Sequence, residues 1–575
     1  MPNFFTDNED IVEYFDNMDI RQLVELQERG YTDAEFYDYA PEDYEDAMEG
    51  YRRILDLVGE ISGEFVAPRA EDVDEEEAQL IDGEVHYATG TREALDQLAE
   101  ADLMGFTLPR KYGGLNLPVL LYTMAIEMVS RADASLMNIF GLQDIAETIH
   151  SFADEDLKDH YLPKFAEGEV TGAMVLTEPD AGSDLGNVQL RATCDEENDQ
   201  WYLDGVKRFI TNGCAEVLLV LARSEEGSTG ARGLSLFLCE GDDTVTVRRL
   251  EEKLGIHGSP TCELQFNQTP ARLIGRRRRG LSTYVMSLMN GARLGIAAQG
   301  IGIAEAALRE ALEYAESREQ FGKPIRQFPA VRKMLGDMHM KVETSRLLAY
   351  ETSWIVDMLN NIEEMKESGE LEEMPGGEEL LDRRRYYKKL ATALTPLVKY
   401  YATETCNEVC YDAMQVLAGS GYMQDYEVER LYRDARITTI YEGTTQIQFN
   451  AAIGYITRGF FNQRFDELHE EHSDAPPRML HALSEAREKL EDTLEYVDQQ
   501  DDAFRDLNAG RLCECVVHIY NGYLLLEPAM RSEHKMTLAQ NFFSEHLPRV
   551  HFRCNQIRQG DRTYVDDMPQ LLGYE

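Results

Sequence analysis

Positive charge is scarce in this chain. Across 575 residues, 56 Lys and Arg face 106 Asp and Glu, a formal net charge of −50. A surface of that sign repels nucleic acid and anionic membranes through its net field. It repels an anionic substrate too, so a site for one must carry local cations. Long apolar runs are also lacking. No stretch approaches the ~18 residues a membrane helix needs, so no integral membrane segment is expected. No basic start followed by an apolar run is present, so no secretory leader is expected and the protein reads as cytoplasmic. Nine Cys occur, an odd number, with no Cys-x-x-Cys. Cys406/Cys410 and Cys513/Cys515 have no partner pair at zinc spacing, which predicts free thiols and no metal site.

What is present is ordinary globular material, 43% hydrophobic and 28% charged, too long for one core. Residues 1–49 form an acidic extension rich in Tyr, Phe and Asp. It reads either as short helices laid on the protein or a neighbouring subunit, or as a partly disordered tail. Residues 50–168 read as a helical domain. Ile54, Leu55, Val58, Ile61 and Phe65 recur near helical spacing, and 119–129 and 142–152 are apolar nearly all round, as inside a bundle. Residues 169–283 change period. Short runs of β formers at 201–211, 217–222, 234–238, 245–250 and 262–266 alternate with polar turns, predicting a compact antiparallel β domain. Residues 284–458 return to helix at 288–318, 331–359, 383–417 and 445–458, a four-helix bundle interrupted by an acidic loop at 360–382. Residues 459–575 add a further helical domain, with helices at 481–497, 513–530 and 536–552.

Chemistry concentrates between Arg433 and Gln448. A basic and acidic pair precedes a β-branched run, and Tyr441-Glu442-Gly443-Thr444-Thr445-Gln446 then opens a helix. Thr445 and Gln448 fit a capping box. Glu442 therefore sits on a loop beside a Gly that permits close ligand approach, a suitable place for a base. On residue type alone it is equally a solvated loop carboxylate. Other stretches are similarly two-sided. Thr177 to Asp184 is a Gly/Pro/Asp turn, or a close approach to a ligand. Arg318 is a cation at a helix C-terminus, or a bidentate partner for a pyrophosphate.

These stretches, together with 105–114, 205–213 and 253–264, resemble the acyl-CoA dehydrogenase family in the same order over residues 50–460. The C-terminal extension resembles the family's longer members. The resemblance implies the fold: mainly α with a central β domain, the extra helical domain added. It implies FAD as cofactor and Glu442 as the base that removes the α-proton of an acyl-CoA, with flavin N5 taking the β-hydride to give a trans-2-enoyl-CoA. It assigns Leu176, Thr177, Gly182 and Ser183 to the flavin, Ser183 also to the CoA chain, and Phe209, Ile210 and Thr211 to the flavin ring. Arg318, Gln320 and Phe321 are implied to meet the FAD of a neighbouring subunit, hence a homodimer or homotetramer. Gln415 and Gly419 match contacts on the adenosine side, Thr444 and Gln446 the last FAD contacts. Asn290, Arg293 and Gly443 match the substrate segment. Ala292 stands where some branches carry the base, which leaves Glu442. Pro329 replaces a family Gln at the adenine. Arg276 to Arg279 depart from the family as four successive cations, either a landing site for CoA phosphates or a solvated loop facing acidic surface. Electron-transfer flavoprotein is the implied acceptor. Alternatives are an oxidase using O2 and a non-dehydrogenase flavoprotein of the same fold. The acyl group stays open among long-chain, thioether, cyclic, aromatic and dicarboxylic types.

Overall fold

The computed structural model describes residues 2–574. Its axis is the helix Met286–Ser317. Small residues along it let neighbours approach closely. A Cβ on Gly302 would meet the Glu127 carbonyl at 2.3 Å, so helix Val119–Ala132 packs backbone against backbone there. Helices Pro329–Ser368 and Gly377–Leu417 pack on the same axis, and Thr445–Ile456 packs on Gly377–Leu417. Together they form the four-helix bundle.

Helix Val119–Ala132 is covered all round and almost every position is buried. Its first N–H groups, on Val119 and Leu120, lack intrahelical partners and donate to the Asp357 carboxylate at 2.7 and 2.9 Å. A cap from a bundle helix thus fixes the start of a helix in another domain.

Seven strands form the central sheet, in the order Gly172–Val175, Val217–Arg223, Arg191–Asp195, Gln200–Thr211, Thr261–Ile274, Leu234–Glu240. Val245–Leu250 joins Thr261–Ile274, and Leu234–Glu240 also pairs with Val217–Arg223, closing the sheet on itself. The central strand is apolar at consecutive positions because both its faces are covered. Val217, Leu219 and Leu221 pack with Ile145 and Leu162 of the neighbouring helices, whereas Leu218 and Val220 pack with Trp201 and Phe266. The sheet departs from the antiparallel expectation. Gly172–Val175 pairs parallel with Val217–Arg223, as does Arg191 with Arg223. The two shorter strands, Gly172–Val175 and Arg191–Asp195, carry too few β formers to stand out by composition.

The expected acidic loop at 360–382 is largely helical. Helix Pro329–Ser368 runs into it, Glu370–Glu373 is a turn of helix, and Gly377–Leu417 begins soon after. Glu, Lys and Met are good helix formers, so helices anchored in a bundle extend through them. The β-branched run after Arg433 is likewise helical, within Val428–Thr438. The N-terminal extension is docked on the protein. Phe5, Ile11, Phe15, Leu23, Val24 and Leu26 are buried, and Arg29 bonds Asn361 of the bundle at 2.8 Å. In the C-terminal extension, Arg464 and Tyr520 both reach Glu351 at 2.9 Å. Both extensions therefore lie on Pro329–Ser368. All nine cysteines are free thiols. Among the described residues no helix is long and apolar enough to cross a membrane.

Candidate active site

Glu442 stands in the turn between helices Val428–Thr438 and Thr445–Ile456. Its φ is 53° and that of Gly443 is 91°. Two successive left-handed residues reverse the chain sharply. Gly443 adopts this freely, whereas Glu442 does so at a cost of ~1–3 kcal/mol. The expected capping box does not form. Thr444 is the N-cap and makes no side-chain cap bond. Thr445 is already helical and donates to Glu404. Gln448 reaches back to the carbonyls of Glu442 at 3.1 Å and Gly443 at 2.8 Å. Lys399, from Gly377–Leu417, donates to the Gly443 carbonyl at 2.8 Å. The turn's carbonyls are thereby held, while the Glu442 N–H donates to no group among the described residues.

Burial raises the Glu442 pKa above the ordinary carboxylate range, and Lys399 and Arg293 act against that rise. Burial also lowers Lys399 to about 7, with Glu442 opposing the fall. Arg293 is buried, makes one hydrogen bond to Asn290 at 3.3 Å, and leaves its Nε unmatched. Asp144 approaches from helix Asp144–Phe152, its Oδ2 3.3 Å from the place a Gly291 Cβ would take. Burial, then Glu147 and Glu442, push the Asp144 pKa well up, toward the neutral acid. The structure thus gathers Glu442, Gly443, Arg293 and Asn290, which were expected, with Lys399, Asp144 and Gln448, which were not. Lys399 and Asp144 lie in runs with no motif of their own, and their relevance comes only from helix packing.

A second group forms on the β domain. The Arg208 N–H donates to the Thr177 carbonyl at 3.0 Å, which joins the 176–184 turn to Gln200–Thr211. Behind it, buried Lys207 bonds the Leu176 carbonyl at 2.7 Å and pairs with Glu178 at 3.0 Å. Leu176 and Ile210 are buried, Thr177 and Thr211 half-buried, and Gly182 and Ser183 exposed. Phe209 is not a core aromatic. Its φ is 61° and it is 51% exposed, with the Arg208 guanidinium 4.5 Å from its ring centroid.

A third group lies at the far end of the bundle axis. Arg318, Gln320 and Phe321 sit on an exposed hairpin, and Phe321 is 95% exposed. Tyr314 bonds Ser420 at 3.1 Å, which places exposed Gln415 and Gly419 alongside. Arg293 and Arg318 are 25 residues apart on one helical course, ~37 Å at 1.5 Å per residue. One copy's Arg318 is therefore remote from its own Arg293. Thr444 is half-buried and Gln446 exposed beside Glu442. Exposed rings at Phe209 and Phe321 and an Arg318 with no carboxylate partner among the described residues fit a large anionic aromatic cofactor.

Arg276 to Arg279 are exposed. Arg277 pairs with Glu225 at 3.0 Å and lies 5.0 Å from the Trp201 ring.

Residues 48–169, 173–269 and 279–368 with 379–453 match the N-terminal, middle and C-terminal domains of acyl-CoA dehydrogenase. The chain belongs to the acyl-CoA dehydrogenase family, oxidoreductases whose cofactor is FAD. It is similar to an acyl-CoA dehydrogenase of Bacillus subtilis, 36% identical over 360 residues, which cover 62% of this chain and 86% of that one. It is similar to the 3-methylmercaptopropionyl-CoA dehydrogenase of Ruegeria pomeroyi, 35% identical over 438 residues, 71% of this chain and 70% of that one. The solved acyl-CoA dehydrogenase of Bacillus anthracis, a complex with FAD, shares the fold at 23% identity and TM-score 0.74, covering 92% of this chain and 91% of that one.

Proposed function

We propose that this protein oxidises an acyl-CoA thioester to its trans-2-enoyl-CoA, with Glu442 removing the α-proton. The observation that carries this reading is a half-buried carboxylate on a strained turn, its pKa raised by desolvation, with its own N–H unmatched among the described residues. A base acting near neutral pH needs a pKa above that of a solvated carboxylate, and desolvation supplies it. The free Glu442 N–H can receive the thioester oxygen as negative charge builds on it, a preorganised oxyanion donor. Lys399 and Gln448 hold the carbonyls of the same turn, so the donor keeps its direction. Arg293 and Asn290 line the substrate side with Gly443, and Arg293 gives an anionic substrate local positive charge in a chain of net −50.

Bound FAD would accept the β-hydrogen as hydride. Leu176, Thr177, Gly182, Ser183 and Phe209 to Thr211 would hold its ring end, and Thr444 and Gln446 would complete that end. Arg318, Gln320 and Phe321, with Gln415 and Gly419, would meet the FAD of a second copy. The ~37 Å between Arg293 and Arg318 supports a homo-oligomer. Electron-transfer flavoprotein would take the electrons in the cytoplasm.

The test is anaerobic bleaching of the purified flavoprotein by a panel of saturated acyl-CoAs, with Glu442→Gln alongside. Bleaching by some thioesters, lost in the variant, is the expected result and names the acyl class. Bound FAD that no thioester bleaches overturns the assignment, and bleaching that survives in Glu442→Gln places the base elsewhere.

A further inference from the structure

Asp10, His339 and His534 come from the N-terminal extension, the bundle and the C-terminal extension. They belong to helices Glu9–Asn17, Pro329–Ser368 and Glu533–Glu545. One ligand atom from each lies within 4.8 Å of the other two. The His339 and His534 ring centroids are 5.5 Å apart. The His339 Nε2 is buried without a hydrogen-bond partner, and its 3.9 Å approach to Asp10 Oδ2 is too long for one. A buried imidazole nitrogen with nothing to bond is costly unless something occupies the space it faces.

We propose that Asp10, His339 and His534 bind a divalent transition cation of the zinc type, which joins both extensions to the bundle. Two imidazoles and a carboxylate are a donor set suited to that class, in a site with one position left to water. Asp10 is already shaped as a ligand. Its Oδ1 is held by Lys535 at 2.6 Å, while its Oδ2 lies 3.9 Å from His339 Nε2 and 3.7 Å from Arg346 Nη1. Charge also favours a cation. Asp7, Asp10, Glu127, Glu305 and Glu343 are five carboxylates in one network, against four cations, Arg131, Arg309, Arg346 and Lys535. Metal–nitrogen bonds of ~2.0–2.1 Å require the ligand atoms to close to ~3.4 Å. The 3.9 Å between His339 Nε2 and Asp10 Oδ2 must shorten by ~0.5 Å, and exposed His534 closes onto that pair.

The experiment uses the full-length FAD-loaded protein, stripped with chelator, desalted and titrated with ZnCl2 by calorimetry. His534→Ala and His339→Gln are run beside it. One equivalent should bind, raise Tm, and weaken at least ~10-fold in His534→Ala. Zinc-edge absorption should show nitrogen and oxygen neighbours and no sulfur. Absence of one-equivalent binding, wild-type affinity in His534→Ala, or a sulfur shell from the free thiols would each overturn the proposal. His534 is exposed, so its variant keeps the test decisive if His339→Gln folds poorly.

Discussion

Two clusters of buried and half-buried charge lie in the helical part of this molecule, and they are built on opposite plans. Around Arg346 every guanidinium nitrogen is matched. Its Nε and Nη2 reach Glu127 at 2.9 and 2.6 Å, Nη2 also reaches Glu305 at 3.0 Å, and Nη1 reaches Glu343 at 3.0 Å. Tyr350 donates to the second Glu127 oxygen at 2.7 Å. Around Glu442 the matching is incomplete. Among the described residues Arg293 has one long hydrogen bond and an orphan Nε, and the Glu442 N–H has no partner. Taking charges out of water is costly in both places. Where partners are complete, the cost is offset within the fold and the cluster serves structure. Where they are incomplete, the missing partners are the ones a bound ligand supplies.

Substitutions can break this contrast, and the largest effect belongs to the base. Glu442→Gln should slow anaerobic flavin reduction by about 10²–10⁴-fold, while Tm is unchanged or slightly raised because a desolvated carboxylate is removed. A large fall in Tm would mean that Glu442 is structural after all. Arg346→Met should do the reverse. It strands buried carboxylates and should destabilise by about 3–5 kcal/mol, read as a lower Tm and denaturant midpoint. Arg293→Met should lose less than about 1 kcal/mol in the same measurement, since few bonds are lost, but should raise KM for acyl-CoA. Equal losses from the two arginines would erase the distinction.

Lys399→Met sharpens the contrast inside the site. Lys399 holds the Glu442 pKa down, so its loss should move the acid limb of the kcat/KM profile to higher pH, with about tenfold lower activity on that limb. A structural lysine would leave the limb in place. The folded state also binds fewer protons at Lys399 than the unfolded chain. Between about 7 and 10.5 the wild type should gain stability as pH rises, and the variant should lack that slope. The smallest effect is expected from Arg277→Ala. This exposed pair with Glu225 should contribute less than about 1 kcal/mol, and KM should not move. A several-fold rise in KM would place CoA phosphates on the Arg276–Arg279 loop.

Much of this was legible in the sequence because it is encoded locally. The change from period 3.6 to period 2 and back marks the β insert, and Tyr441-Glu442-Gly443 marks the turn. What was misread depended on partners distant in the chain. The parallel pairing of Gly172–Val175 with Val217–Arg223 is a long-range event. The acidic stretch near 370 follows the bundle helices anchored on either side of it. Thr445 and Gln448 fit a capping box by spacing, but Glu404 and the turn carbonyls compete for them and win.

By itself the sequence determined the domain order, the helical and strand periods, and a carboxylate beside a glycine at the head of a helix. Those are properties of neighbouring residues and their backbone preferences. Tertiary structure alone decided the rest. It brought Lys399, Arg293 and Asp144 around Glu442 from three separate helices, and Asp10, His339 and His534 together from three separate segments. A pKa and a donor set depend on distance and burial in space, and spacing along the chain fixes neither.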